Sequence, residues 1–310
     1  MADPEQFLPG RLFQQRWTIV RCLGAGGMGS LYEVVHQRTK KRAALKVMKP
    51  ELIESRELKE RFKQETMLTA SLDSDHVVSV FDGGVDVTTG APYLVMELLT
   101  GWDLHRELVR LKRLPRADVV EYLRQSAYGL SKAHDAGIVH RDLKPENLFL
   151  TRRDDGSPCV KVLDFGIAKI VAESMSRANT TRSIGTPVYM APEQIRGEGT
   201  IGPAADLYAL AHVAFTLLCG MPYWTIEYAS TKSLFALLRA IELGPKEPPS
   251  ARARARGVEL PASFDAWFQK ASANDPLDRH DDAVELVGAL QAAFDRDETP
   301  PTQRDLGGSA

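Results

Sequence analysis

The chain has 310 residues, 44% of them hydrophobic, with 39 lysines and arginines against 41 aspartates and glutamates, and three cysteines. That is enough apolar material for one large two-part domain, and the near-balanced charge supplies no net field for nucleic acid or an anionic membrane. No run approaches the roughly 20 apolar residues of a membrane span. The N-terminus has no basic-then-apolar leader pattern, and Cys22, Cys159 and Cys219 stand apart from one another, as free thiols in a reducing compartment do. The chain therefore reads as cytoplasmic, with no nucleic-acid partner and no membrane span. Residues 296–310 are polar and rich in Pro and Gly, a disordered tail or the start of a linker to a membrane tether beyond residue 310. The basic clusters Arg38–Arg42 and Arg252, Arg254, Arg256 lack interleaved aromatics and read as solvated turns.

Residues 1–11 carry no periodic pattern and read as disordered. From there the chain alternates in the manner of strands, over 17–23, 31–35 and 43–47. A charged helix over 58–72 follows, with Leu58, Phe62, Met67 and Leu68 broadly on one side. Strands over 77–81 and 93–96 come next, separated by turn-rich Asp82-Gly83-Gly84 and Thr89-Gly90. After Glu97 the pattern becomes helical, over 104–111, 117–136, 204–219, 232–243, 264–271 and 283–294. Strands followed by a run of helices predict an α+β fold with a segregated sheet, divided into 12–97 and 98–295.

Four strings carry chemistry. Gly24-Ala25-Gly26-Gly27-Met28-Gly29 is a glycine pattern that lets backbone close over phosphates. It lies between two strands, and a dinucleotide-binding fingerprint should instead open a helix, so that reading fails. Lys46, in an apolar strand, is placed to grip phosphates as a point charge, with Glu65 or Glu60 on the charged helix as its partner. In His140-Arg141-Asp142-Leu143-Lys144-Pro145-Glu146-Asn147, Asp142 suits orientation of a hydroxyl and acceptance of its proton, and Asn147 can give an amide oxygen to a hard cation. His140, beside a better-placed aspartate, reads as a packing and hydrogen-bonding residue. Asp164, at the end of a strand and followed by Phe165-Gly166, presents one carboxylate on a sharp turn.

In order and spacing these strings, with Ala191-Pro192-Glu193 further on, resemble the protein-kinase signature set. Within that superfamily, Gly-x-Gly-Gly-Met-Gly and Gly185-Thr186-Pro187-Val188-Tyr189-Met190-Ala191-Pro192-Glu193 make the chain most similar to the bacterial, eukaryotic-like (Hanks-type) serine/threonine kinases. The resemblance implies a two-lobed fold, with a small N-lobe of antiparallel sheet plus one helix and a larger, mainly helical C-lobe. It implies ATP and Mg²⁺ as cofactors, and as partners protein substrates with Ser or Thr and a second copy of the chain for trans-autophosphorylation. Asp142, Lys144, Lys46 and Glu65 would then be the catalytic set, and Asn147 and Asp164 the metal ligands. Nucleotide contacts would come from Leu23, Gly24, Ala25, Gly26, Gly29, Leu31, Ala44, Lys46, Met96, Glu97, Leu99, Asp103, Asn147, Phe149 and Asp164, with Met96 as gatekeeper and Glu97 to Leu99 as hinge. Thr180, Thr181 and Ser183 would be phosphorylated, and Thr186 would stand beside Asp142 and Lys144 where the substrate docks. The resemblance further implies that Glu193 pairs with Arg279. A pseudokinase, a nucleotide-binding signalling scaffold, is the alternative, and it should have lost the lysine, the base or a metal ligand. A small-molecule phosphotransferase is a third reading, weakened by the docking segment 185–193.

Overall fold

The computed structural model describes residues 7–27, 29–53, 55–165, 187–197, 200–231 and 233–298. The chain divides into two compact units, one of Met1–Glu107 with Tyr128–Pro187, the other of Leu108–Ala127 with Val188–Ala310. The α+β class with a segregated antiparallel sheet is the one observed.

The first unit holds strands β1 (Leu12–Phe13), β2 (Trp17–Gly26), β3 (Gly29–His36), β4 (Arg42–Met48), β5 (Val80–Val85) and β6 (Pro92–Glu97). They form one sheet in the order β1-β2-β3-β4-β6-β5, every pairing antiparallel. The period-2 geometry of a strand sorts its side chains. Ala43, Leu45 and Val47 of β4 join Tyr93 and Val95 of β6 in a core on one face. On the other face Ala44 meets Met96, while Met48 and Leu94 pack against Leu58 and Phe62 of helix α1 (Arg56–Ala70). Lys46 lies between Ala44 and Met48, so alternation alone turns it toward the helix side.

Strands buried on both faces, as β4 and β6 are, need two covers. Helix α1 is one; Phe7, Phe13 and Trp17, packed into the core of the opposite face, are the other. Residues 7–11 thus depart from the disorder expected of 1–11. Phe7 is 9% exposed, and the Gly10 amide donates to the Ile19 carbonyl at 2.8 Å.

Helix α1 starts where the Ser55 hydroxyl accepts from the Leu58 amide at 3.1 Å, an N-cap. Its buried side chains are Leu58, Phe62, Thr66 and Thr69. Met67 and Leu68 lie outside, 71% and 47% exposed, because the i, i+4, i+8, i+11 stripe passes through the threonines. Strand β5 begins at Val80 and runs through the Asp82-Gly83-Gly84 expected as a turn. Gly83 is small for a different reason: a Cβ there would stand 2.6 Å from Thr66 Cγ2 of α1.

A second sheet in the same unit joins β7 (Trp102–Asp103), β8 (Leu148–Arg152) and β9 (Pro158–Val162). Val162 of β9 also bridges to Val77, with the Val78 amide donating to the Val162 carbonyl at 3.0 Å and the Val162 amide to the His76 carbonyl at 2.9 Å. These bonds place β9 with the first unit, so the division expected at 97/98 does not follow the compact units. Helices α2 (Leu104–Leu111) and α3 (Arg116–Asp135) each contribute residues to both units.

The second unit contains α4 (Pro192–Arg196), α5 (Ala204–Cys219), α6 (Thr225–Thr231), α7 (Leu234–Leu243), α8 (Pro249–Arg254), α9 (Ala262–Ala271) and α10 (Ala283–Glu298). Helix α10 runs three residues into the stretch expected as tail. Helix α5 is buried from Ala205 to Cys219, and at its middle His212 sits among Tyr208, Tyr223, Trp224 and Phe268. Of the cluster expected in a solvated turn, Arg254 does face solvent, 66% exposed, but Arg252 does not. Arg252 is 5% exposed, ion-paired with Glu227 and Glu247, and stacked 3.9 Å over the Tyr223 ring. A planar, fully paired guanidinium can be buried where an unpaired charge cannot.

Candidate active site

Strands β2 and β3 form a hairpin whose tip is the glycine string, Gly26 facing Gly29. Its glycines are of two kinds. Gly29 has φ +155°, and a Cβ on it would lie 2.1 Å from the Val47 carbonyl oxygen, so the protein itself demands glycine there. At Gly24, Gly26 and Gly27 a Cβ would meet nothing within 4 Å. What those three make room for is not another part of the described chain, which is what a loop lying over phosphates requires.

Beneath the hairpin, register aligns Leu31 with Lys46 and Ala44 with Met96. Ala44, Met96 and Val78 form an apolar cluster to which Leu31, Leu98, Leu99 and Leu163 add their partly buried side chains. Of the apolar residues expected around a base, Leu31, Ala44, Met96 and Leu99 are gathered here. Leu23 lies near the end of β2, 36% exposed, and Phe149 is half-buried on β8 opposite Asp103. Val78 and Leu163 were missed in the sequence. Leu163 had a readable signal, since it directly precedes Asp164.

Lys46 makes an ion pair with Asp164, Nζ to Oδ2 2.6 Å, the side chains 20% and 26% exposed. Burial raises the Asp164 pKa, but the charge and hydrogen bond of Lys46 outweigh it, with His140 and Lys144 adding, and the carboxyl stays below its usual value. Glu65, one expected partner of Lys46, lines a cavity together with Phe62, Met96, Asp164 and Phe165. The other, Glu60, pairs with Lys63 at 2.8 Å on the exposed side of α1.

The loop 140–147 is held by its own hydrogen bonds. His140 is fully buried; its Nδ1 accepts from the Asp142 amide at 3.2 Å and its Nε2 donates to the Leu163 carbonyl at 2.7 Å. Both nitrogens are thereby committed, and the ring also packs edge-on against Phe165, 4.9 Å between centroids. This histidine ties the loop to the strand exit that carries Asp164. Lys144 Nζ lies 2.7 Å from Asp142 Oδ2. Asn147, 6% exposed, donates its side-chain amide to the Asp142 carbonyl at 2.7 Å, and its main-chain carbonyl accepts from the Leu163 amide at 2.9 Å. Arg141 and Asp164 both occupy left-handed backbone, φ 67° and 61°. Such positions cost non-glycine residues energy and collect where side-chain direction matters.

Among the described residues no three of His, Cys, Asp and Glu gather into a metal site of their own. The oxygen groups at hand are those of Asn147, whose nitrogen is already bound and whose Oδ1 is therefore the remaining donor atom, and of Asp164. Two such oxygens suit a magnesium ion that arrives with phosphates and keeps further sites for them. The Asp103 carboxylate also caps α2, its Oδ1 accepting from the Arg106 amide at 2.7 Å. Thr180, Thr181, Ser183 and Thr186 lie outside the described residues. In the second unit Glu193 takes two bonds from Arg279, at 2.7 and 2.8 Å, as expected.

A family model for the protein kinase domain matches residues 17–270. Serine/threonine-protein kinase Pkn1 of Myxococcus xanthus is 40% identical over 277 residues, covering 89% of this chain and 38% of Pkn1. Serine/threonine-protein kinase PknL of Mycobacterium tuberculosis is 34% identical over 285 residues, 92% of this chain and 67% of PknL. The chain thus spans well under half the length of Pkn1. The crystal structure of the Mycobacterium tuberculosis PknI kinase domain superposes with a TM-score of 0.72 at 29% identity, covering 92% of this chain and 99% of that one.

Proposed function

This chain belongs to the protein kinase domain family, and we propose that it acts as a serine/threonine protein kinase, transferring the γ-phosphate of ATP to hydroxyls of proteins. The observation that carries the reading is the joined pair of ion pairs, Lys46–Asp164 at 2.6 Å and Lys144–Asp142 at 2.7 Å, tied together through Asn147, Leu163 and His140. A scaffold that had given up catalysis would have no reason to keep all of these charges. Adenine lies in the apolar cluster of Leu31, Ala44 and Met96, with main-chain bonds from Glu97 to Leu99, and the glycine hairpin closes over the phosphates. Lys46 leaves Asp164 for the α- and β-phosphates, and the freed Asp164 carboxylate and Asn147 would hold the magnesium ion. A magnesium ion held there would supply positive charge to offset that of the phosphates. Asp142 accepts a hydrogen bond from the substrate hydroxyl, orients it and takes its proton. Lys144 neutralises the transferring group.

Thr180, Thr181 and Ser183 are sites for autophosphorylation by a second copy, and Arg141 is the cation to receive the phosphate by a bidentate bond. Asp142→Asn keeps the shape and removes the base. Its kcat should fall by roughly 10²–10⁴-fold, the range for a general base, with ATP affinity retained. A variant transferring phosphate at the wild-type rate to serine peptides overturns the assignment.

A further inference from the structure

One partly buried ion pair joins the hinge residue Glu97 to a lysine not yet considered. Lys161 Nζ is 2.8 Å from Glu97 Oε1, with 13% and 23% of the two side chains exposed. Glu97 ends β6, and Lys161 lies on β9, three residues before Asp164. Between them runs the segment 76–79, with a bond to one side or the other at each residue. His76 and Val78 bond to Val162 of β9, and the Val77 carbonyl accepts from Lys161 Nζ at 3.4 Å. Ser79 bonds to Glu97 twice, its amide donating to Oε1 at 2.8 Å and its carbonyl accepting from the Glu97 amide at 2.9 Å. The Lys161–Glu97 pair closes this path into a ring that joins the hinge strand to the strand presenting Asp164.

We infer that Lys161 is a positioning residue for nucleotide binding, acting through Glu97; the inference rests on the reading of Glu97 to Leu99 as the adenine-binding hinge. Sequence gives no warning of it, since a lysine on a half-buried strand reads as an edge residue. Its chemistry is specific, however. The Glu97 carboxylate is mostly out of water and holds the Ser79 amide only while its charge is compensated. With Lys161 gone, that carboxylate must reach water, and it can do so only by turning away from Ser79. The movement takes with it the backbone at the end of β6, where adenine bonds. The phosphate and base groups, Lys46, Asp142 and Lys144, are left in place.

The expected result is therefore a split between binding and turnover. Lys161→Met should weaken adenosine binding roughly tenfold, the scale of a charged hydrogen bond's net worth, and raise the KM for ATP by a similar factor while kcat stays near wild type. Lys161→Arg should restore most of the affinity. Glu97→Gln should cost about as much as Lys161→Met, and the double variant no more than either alone. Adenosine titrated calorimetrically against the whole chain reads the hinge without magnesium or phosphate transfer. Wild type that fails to bind adenosine would sink the kinase reading itself. Wild type that binds, with Lys161→Met binding equally well or with additive single losses, overturns the positioning role alone. Should Lys161→Met melt too low to assay, Lys161→Arg and Glu97→Gln carry the same comparison.

Discussion

Arg279 and Lys46 both meet a carboxylate, yet the surroundings differ in kind. Arg279 is fully buried, gives two bonds to Glu193, and spends further donors on the carbonyls of Ala204 at 2.8 Å and Ala273 at 2.9 Å. Among the described residues Lys46 has one carboxylate contact, at 2.6 Å, and a fifth of its side chain reaches solvent. A guanidinium is a planar fork whose donors are fixed in place, whereas an ammonium is a point charge with rotating donors and no preferred partner. Arg252 repeats the first pattern with Glu227, Glu247 and the Tyr223 carbonyl, and Lys144 repeats the second with Asp142. The molecule uses arginine where an arrangement is to persist, and lysine where the partner is to change during the reaction.

The contrast can be broken by exchange. Lys46→Arg should cost roughly 10²–10³-fold in kcat, as loss of a preorganised charge does, while unfolding free energy stays within about 1 kcal/mol of wild type because a positive charge still faces Asp164. Arg279→Lys should do the reverse, losing about 1–3 kcal/mol of stability because Glu193 keeps a charge opposite it but loses half its bonds. Urea melts and turnover measured on both variants decide the matter. An Arg279→Lys protein as stable as wild type would show that the fork geometry is immaterial.

A third buried group sharpens the comparison, because it has neither kind of partner. Among the described residues, neither ring nitrogen of His212 has a hydrogen-bond partner. Burial above all, with the charges of Arg279 and Arg252 adding, lowers its pKa from 6.5 to about 3. Below pH 6.5 the unfolded chain takes up a proton that the folded chain refuses. Stability therefore falls as the pH drops, by about 1.4 kcal/mol per unit until the folded group titrates. Between pH 7 and pH 5 wild type should lose about 2 kcal/mol on this account, and His212→Leu should lose correspondingly less. Equal acid slopes for the two proteins would mean that other groups control the acid limb.

Much of the site was open to inspection from residue order alone. Strand alternation puts Lys46 and Ala44 on one face, and the spacing within 140–147 brings Asp142, Lys144 and Asn147 into one loop. What escaped was of two sorts. One sort concerns choice among partners: the sequence offers Glu65 and Glu60 of the helix to Lys46, and nothing in it signals the pair with Asp164, 118 residues further on. The other sort concerns cover. Nothing in residues 1–11 is periodic, and Phe7 matters only because β4 and β6 bury both their faces. Thr66 and Thr69 hide under α1 in place of Met67 and Leu68 for a similar reason. Helical phase, counted from Leu58 and Phe62, outranks hydrophobicity. Arg252 was misread because an alternating basic string looks solvated until Glu227 and Glu247 are brought to it from elsewhere in the chain.

The two kinds of glycine in the β2–β3 hairpin allow the nucleotide to be mapped by genetics. Gly29→Ala collides with the Val47 carbonyl and should fail in any selection for protein abundance, at a cost of about 1–3 kcal/mol for a forced backbone. Gly24→Ala and Gly26→Ala meet open space, so the same selection should let them through. A selection for phosphate transfer should reject all three. Subtracting one map from the other leaves a silhouette of the ligand, drawn by the substitutions that only a bound phosphate would oppose.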